Sequence, residues 1–528
     1  MRLLLFYFSC LLFFSAQSQH SFENKVINPL TKNSIPQEKI FLHTNKELYL
    51  SDDTIWFKAY IGDANNKPSF KTSVLRVHLL NEKGQILERK KILIREGMGD
   101  GYFNLVNQTS SNHYFIQAFT QNSLNFEDDF VFTKRIRILE NLNYKYKTLE
   151  EYYDIQIKPE GGYAIENTSG ILSFRVLSND NPVKFSGFIV DENDKVIEQI
   201  YVPQYGIGKS KLFYKAGEEY HAKLKIGDSL YTKRIPKPRP DGISLEIDNS
   251  SLSNLKVNLR TNEKSLSDQS TNSYTILLHQ RNKIFGTLNF MGLDSLRASF
   301  IIRKEIFSEG INSITLFENN EPISRRKFFV KKKDKKISVD IKRVRSTKDS
   351  LLYKIELKNS NNPVIADLSI SVLSRDSEYQ INCYPDIFNS FLINPYVDIN
   401  LERYIRMSDK SSINKNSLDI LLMGEEAEFS SLKEIISKFN PRPSYLFENG
   451  ISLKGRIKGR LQTNTLGLLT NNSRLIDKKI LNGRKTFNFN RLLLFKGDTV
   501  RFSFIDKNNR GYKPGKIIID SLGNYTPE

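Results

Sequence analysis

A chain of 528 residues outruns a single hydrophobic core, and its length predicts about three to five domains of roughly 100–150 residues each. Apolar residues at 39% and aromatic residues at 11% suffice to pack such cores, and the excess of Tyr (24) and Phe (35) over Trp (1) and Cys (2) suits a strand-rich chain. The net charge of +19 is a moderate bias over this length and is not by itself a nucleic-acid footprint.

Residues 1–18 read as a signal peptide: Arg2 gives the positive start, residues 3–14 the apolar core, and Ala16-Gln17-Ser18 the small residues before cleavage at Gln19. The apolar core is too short to span a bilayer, and no later segment approaches 18 apolar residues, so the expectation is an exported protein, soluble or peripheral to a membrane. Cys10 is followed by more apolar core (Leu11-Leu12-Phe13-Phe14), which argues against a lipid anchor there. Only Cys383 survives cleavage; it cannot form an internal disulfide and reads as a buried thiol.

Residues 21–37 are a polar lead-in. Over 38–140 short β-rich runs alternate with Gly, Asn and Asp turns, the pattern of a sandwich: 40–45 and 55–60 carry the period of two, and 74–80, 86–94 and 113–120 are further β-rich runs. Gly97, Gly99 and Gly101 read as a tight turn needing positive φ. The stretch 141–153 is a connector. A second sandwich is expected over 154–237, with Asp191-Glu192-Asn193-Asp194 as a hairpin turn, followed by a stiff Pro-rich linker at 235–240. A third is expected over 243–332 and a fourth unit over 336–378, whose strands flank the turn at 359–363. The run Arg325-Arg326-Lys327, with Lys331-Lys332-Lys333-Asp334-Lys335-Lys336, reads as a solvated edge between units, or as a contact with an anionic membrane or acidic glycan. Residues 379–448 change to an irregular and helical connector. Leu432, Ile435, Ile436 and Phe439 share a helix face, and Ser430 or Ser431 with Glu434 makes a capping box. A last β unit spans 450–521. The fold expected is all-β: tandem immunoglobulin-like or macroglobulin-like sandwiches with a short helical insert near 415–440.

The stretch EKIFLHTNKELYLSDDTIWFKAY (38–60) resembles the second macroglobulin domain of the α2-macroglobulin superfamily, and more closely a group of secreted Bacteroidetes proteins with the pattern E-K-x-x-x-H-x-D-K-x-x-Y-x-x-G-[ED]-T-I-W-F-K-A-Y. Asn45 replaces the usual Asp and Ser51 the usual Gly. Pro159-Glu160-Gly161-Gly162 is similar to the start of that group's next domain. Residues 308–330 are similar to a second long motif of the group, through Gly310, Ile311, Thr315, Phe317, Pro322, Arg325 and Phe328 among others. Asp367-Leu368-Ser369-Ile370-Ser371-Val372 resembles a macroglobulin strand, 417–428 resembles the group's Leu-rich helix without its usual continuation, and 450–521 resembles a shortened carboxypeptidase-regulatory-like domain. The resemblance implies a thioester-less protein of the periplasm or outer membrane. It also implies an outer-membrane or periplasmic protein partner, a TonB-dependent receptor being one kind.

No catalytic, cofactor or metal residue is assigned. Gly208-Lys209-Ser210 ends like a P-loop, but Pro203 stands at the first glycine and the context is a hairpin. His20, His43, His78, His113, His221 and His279 form no ligand pair. Asp52-Asp53 and Glu127-Asp128-Asp129 are turn acidity or a weak Ca²⁺ site. The Gly-Cys-Gly-Glu-Gln thioester segment is absent, so covalent trapping is excluded. The function expected is a non-catalytic binding scaffold working through noncovalent protein contacts. Two other readings stand beside it: a glycan-binding accessory, for which Tyr152-Tyr153 and Tyr201/Tyr205 are the cue, and a protease trap without a thioester.

Overall fold

A computed structural model of the chain describes residues 21–32, 35–105, 113–126, 130–139, 152–268, 272–332, 337–359, 361–373, 386–399, 401–406, 414–425, 429–437, 443–470, 477–492, 494, 499–508 and 510–524. The signal peptide, Cys10, His20, most of the 141–153 connector, Glu127-Asp128-Asp129, Lys333 to Lys336, Cys383 and Phe439 lie outside these residues.

Alternation of apolar and polar side chains turns the runs into strands, and pairs of sheets close over the apolar half. The first sandwich holds β1 (Lys39–Thr44), β2 (Leu48–Leu50), β3 (Thr54–Gly62), β4 (Val74–Asn81), β5 (Ile86–Leu93), β6 (Met98–Asn104), β7 (His113–Phe119) and β8 (Phe132–Leu139). Its sheets run β1-β3-β6 and β2-β8-β7-β4-β5. On β3, Ile55, Phe57, Ala59 and Ile61 enter the core, and Trp56, Lys58 and Tyr60 face out. The glycine run divides. Gly97 takes a positive φ of 77°, whereas Gly99 and Gly101 are strand residues of β6. A Cβ on Gly99 would lie 2.6 Å from the Leu93 carbonyl oxygen, so close strand approach, not turn geometry, calls for glycine there.

The second sandwich is built from β9 (Tyr153–Pro159), β10 (Thr168–Ser178), β11 (Asn181–Pro182), β12 (Phe185–Asp191), β13 (Val196–Gln199), β14 (Tyr201–Gln204), β15 (Ile207–Tyr214), β16 (Tyr220–Ile226) and β17 (Ser229–Arg234). One sheet is β11-β10-β15-β14 with β9 on β10, the other β13-β12-β16-β17. Asp191 Oδ1 accepts from the Asn193 and Lys195 amides and closes the β12–β13 hairpin, with Asp194 at φ 64°. The third sandwich holds β18 (Ser244–Asp248), β19 (Asn254–Arg260), β20 (Tyr274–Gln280), β21 (Lys283–Phe290), β22 (Arg297–Arg303), β23 (Gly310–Glu318) and β24 (Glu321–Val330), ordered β18-β19-β22 and β21-β20-β23-β24.

Next come β25 (Ser338–Ser346), β26 (Leu351–Asn359) and the two-residue β27 (Asn362–Pro363), a three-stranded sheet. A full sandwich was expected over 336–378; among the described residues this sheet has no second layer and no buried core residue. Asp367 to Val372, expected as a strand, are extended but join no ladder; Asp367, Ser369 and Ser371 bond to the first sandwich instead. The last sandwich packs β28 (Ile451–Lys458), β31 (Thr486–Leu492) and β34 (Lys516–Asn524) on β29 (Thr465–Thr470), β30 (Asp477–Ile480), β32 (Val500–Ile505) and β33 (Gly511–Tyr512).

Helices are short and more numerous than the single insert expected. They are α1 (Asn28–Lys32), which follows a π turn at Glu23–Ile27, α2 (Glu263–Asp268), α3 (Ile387–Leu392), α4 (Leu401–Arg406), α5 (Lys415–Met423) and α6 (Ser430–Ser437). The polar lead-in hides Phe22, Val26 and Leu30, which pack with Leu432 of α6 on Leu277 and Phe317 of the third sandwich. Leu432 and Ile436 face that cluster; the side chains of Ser430, Ser431, Glu434 and Ile435 lie outside the described residues. Among the described residues no helix is long and apolar enough to cross a membrane.

Candidate interaction surface

The polar residues of the first motif are spent on local order and on seams. Glu38 is buried and accepts from the Ser69 hydroxyl and, at 2.5 Å, from that of Thr72; burial holds its carboxyl above the usual range. Lys39 donates to Asn66 Oδ1 at 2.7 Å and lies 4.9 Å from the Tyr396 ring, and burial lowers its ammonium to about 7. Tyr49 donates to Asn45 Oδ1 at 2.8 Å, which shows that Asn in place of the usual Asp keeps the turn's acceptor. Asp53 caps the same turn, accepting from the Leu50 amide at 2.8 Å and from Lys46 at 2.9 Å; it is a turn residue here, paired by a cation of its own chain.

Three residues of the outer face of β1 and β3 dock the extended segment. His43 Nδ1 lies 2.6 Å from Ser369 Oγ, Tyr60 donates to the same oxygen at 2.8 Å, and Lys58 pairs with Asp367. His43 is thus a docking residue, with its pKa lowered by burial.

A second seam joins the second and third sandwiches. Glu160, in the one-turn helix that follows β9, is buried beneath Arg326 of β24. Arg326 donates from Nε to Glu160 at 2.6 Å and from Nη2 to Asp419 of α5 at 3.0 Å, and its side chain is 0% exposed. Burial works against the guanidinium charge, but Asp419 and Glu160 outweigh it and raise the pKa. Burial pushes Glu160 up to about 7; one cation serves two carboxylates, and Glu160 Oε2 finds no hydrogen-bond partner among the described residues. Lys327 pairs with Glu425 and donates to the Tyr396 carbonyl at 2.9 Å. Arg326 and Lys327, expected on a solvated edge, are therefore a bolt whose carboxylate partners come from far along the chain. Its only sequence cue was the acidic residue in Pro159-Glu160-Gly161-Gly162.

Helical segments cement the seams. Leu418, Leu421 and Leu422 of α5 pack with Ile207 of the second sandwich and Ile311 of the third. Phe391 of α3 packs on the first core. Arg281 of the third sandwich donates to the Pro395 carbonyl at 2.6 Å, beside Tyr396 and Lys39. Arg76 pairs with Glu448, and Arg491 of the last sandwich donates to Ser73 Oγ at 3.1 Å.

The remaining candidates are dispersed. Gly208-Lys209-Ser210 is an internal stretch of β15, paired with Phe174, Ser173 and Leu172 of β10. His279 is buried, with Nδ1 2.6 Å from the Arg281 carbonyl and Nε2 2.9 Å from Thr315 Oγ1; burial lowers its pKa to about 4. His78 abuts Phe119, and His113 and His221 lie on β7 and β16. Among the described residues no cluster of three His, Cys, Asp or Glu side chains has metal-binding geometry. Tyr153 packs against Tyr231, while Tyr152, Tyr201 and Tyr205 are exposed.

Among the side chains that the array offers to solvent are large aromatic and apolar ones. Trp56, the chain's one tryptophan, is 55% exposed and lies 4.8 Å from the exposed Tyr102 ring across β3 and β6. Lys90 stands 4.5 Å over that ring. The sheet β25-β26-β27 is the second such surface.

No family model matches the chain, and no curated protein does. Solved structures similar to it include an Escherichia coli alpha-2-macroglobulin activated by porcine elastase (11% identity, 62% of this chain and 34% of that one, TM-score 0.21). A Salmonella alpha-2-macroglobulin reacted with methylamine is another (10% identity, 61% and 25%, TM-score 0.17). A third is the I9–I11 tandem of titin (10% identity, 56% and 99%, TM-score 0.14). The chain spans about a quarter to a third of the length of these macroglobulins.

Proposed function

We propose that the protein is a non-catalytic, exported scaffold of the bacterial cell envelope, macroglobulin-like, that binds a protein partner noncovalently. One observation carries this reading: Glu160, Arg326 and Lys327 are committed to the seam between the second and third sandwiches, Lys58 holds the extended segment, and the outer face of the first sandwich presents Trp56 and Tyr102. Seams of this kind hold a spacer in shape, and exposed rings are the side chains from which interface hot spots are commonly made. The likeness of the two motifs to the Bacteroidetes group supports a place in the periplasm or at the outer membrane, with a TonB-dependent receptor as one candidate partner. The lack of the thioester segment supports noncovalent contact.

The test is affinity capture of the tagged protein from envelope fractions. The expected result is a stoichiometric protein partner that is lost with Trp56→Ala; no stoichiometric partner would end the proposal. The exposed indole also favours a second reading, a glycan laid on the Trp56–Tyr102 pair. Because Trp56 is the sole tryptophan, its fluorescence reports that site alone, and retention on a polysaccharide column that disappears with Trp56→Ala would select this reading.

A further inference from the structure

The sheet β2-β8-β7-β4-β5 of the first sandwich turns one face to the core and the other outward, and the outward face is basic. Its register sets Arg76 beside Lys91, His78 beside Arg89, Phe115 beside Arg135 and His113 beside Arg137, so the cations are spread across four strands. Among the described residues, no outward position of β4, β5, β7 or β8 carries Asp or Glu. Arg76 pairs with Glu448, whereas Arg89, Arg135 and Arg137 form no ion pair among the described residues. Arg89, Lys91 and Arg137 are exposed. Burial lowers the pKa of His78, with Arg89 and Arg76 adding to it, and burial with Arg135 does the same to His113 against Glu82. On the sheet β25-β26-β27, by contrast, charges are matched within the sheet: Lys342 meets Asp340 at 2.8 Å and Lys354 meets Glu356 at 2.7 Å.

We propose that this face docks the protein on a bilayer surface whose headgroups carry anionic phosphate. The inference goes beyond the scaffold reading, which names a protein partner and needs no lipid. Charge complementarity supports it: the cations left unpaired are arginines, whose planar fork bonds two oxygens of one phosphate. Shape supports it too. Four strands span about 14 Å across the sheet, and residues 113 to 119 about 20 Å along β7. Charge spread in two dimensions over a sheet fits a plane of headgroups, whereas a linear polyanion is held along a groove. Phe115 and Phe119 stand half-buried among the arginines, and Ile86 and Leu87 are exposed at the start of β5, so apolar contact is available at headgroup depth. Trp56 and Tyr102 belong to the other sheet, on the opposite side of the sandwich, and stay open while the basic face is occupied.

Co-sedimentation of the purified protein with lipid vesicles tests this. The expected result is binding at about 0.1 M salt to vesicles of about 30% phosphatidylglycerol in phosphatidylcholine, release at about 0.5 M, and no binding to phosphatidylcholine alone. Arg89→Gln, Arg135→Gln and Arg137→Gln together should weaken binding about 100-fold. None of the three side chains holds an ion pair among the described residues, so the variant should keep the wild-type circular dichroism and melting profile. Lys507→Gln, Lys513→Gln and Lys516→Gln remove the same charge from the exposed surface of the last sandwich and should leave binding unchanged. Trp56 emission should not shift on binding, because the sole indole lies on the far sheet. Any of five results would overturn the proposal: no binding to the anionic vesicles, equal binding to phosphatidylcholine alone, the same loss or no loss in both triple variants, a blue shift of Trp56, or tighter binding to soluble polygalacturonate than to vesicles of equal charge, which would make the face a glycan site. Trp56→Ala should bind vesicles as the wild type does, and the envelope-capture test is read through Trp56, so failure of either proposal leaves the other standing.

Discussion

Removing the Arg326 guanidinium would leave two carboxylates, the buried Glu160 and the partly exposed Asp419, without their shared cation. Breaking a buried pair from one side costs far more than the pair is worth, so Arg326→Ala should destabilise the chain by about 3–5 kcal/mol in urea unfolding. Arg326→Ala with Glu160→Gln should recover part of that loss, because one of the two stranded carboxylates is then neutral. Glu160 also sets a pH dependence. Its folded value of about 7 lies above the ordinary carboxyl value of 4.5, so the folded state holds a proton that the unfolded chain has released. The stabilisation is complete below about pH 4.5 and lost as pH rises through 7, on the order of 3 kcal/mol. His279 acts in the opposite sense: its folded value of about 4 makes it stabilising above 6.5 and costly as pH falls toward 4. The readout is therefore the difference between wild type and Glu160→Gln across pH 4.5–7.5, expected to be a slope that the variant lacks. A flat difference would mean that Glu160 stays ionised throughout.

Among the elements, β23 and α3 meet at a point that allows no side chain. Gly310 has φ 102°, and a Cβ there would sit 2.7 Å from the Leu392 carbonyl oxygen. Gly310→Ala therefore combines a disfavoured backbone with a clash against a helix, and should cost at least about 2 kcal/mol in thermal unfolding. Gly84 has φ 74° with open space around it, so Gly84→Ala should carry the backbone cost alone, about 1 kcal/mol. Gly310 was legible in the sequence as a motif position, but its reason was not, since α3 lies some 80 residues away and joins the strand only in the folded chain. The same division holds more widely. Strands were readable because the period of two is local: β3 buries Ile55, Phe57 and Ala59 as the letters require. Arg326 and Lys327 were misread as solvated because their partners Glu160, Asp419 and Glu425 are distant in sequence. The segment 367–372 alternates as a strand would, yet Ser371 donates to the Asn45 carbonyl, and Asp367 and Ser369 accept from Lys58 and Tyr60, in place of a ladder.

For the molecule as a whole, the seams decide whether the array behaves as beads or as a rod. Tandem sandwiches with only linkers between them unfold independently, each with its own transition. Here α5 inserts Leu418, Leu421 and Leu422 between Ile207 of the second sandwich and Ile311 of the third, next to the Glu160–Arg326–Asp419 cluster. Neither sandwich can loosen at that face without exposing the other's apolar side chains, so the two should melt as one unit. Leu421→Asp places a charge in that contact while leaving both sandwich cores intact. Calorimetry should then resolve two transitions where the wild type has one, the lower falling by several degrees. Had the wild type already shown two, or the variant kept a single transition, the helix would be an ornament on the array and not its joint. Deleting the sheet over 338–363 should leave this coupling untouched, since no residue of that sheet belongs to the α5 cluster.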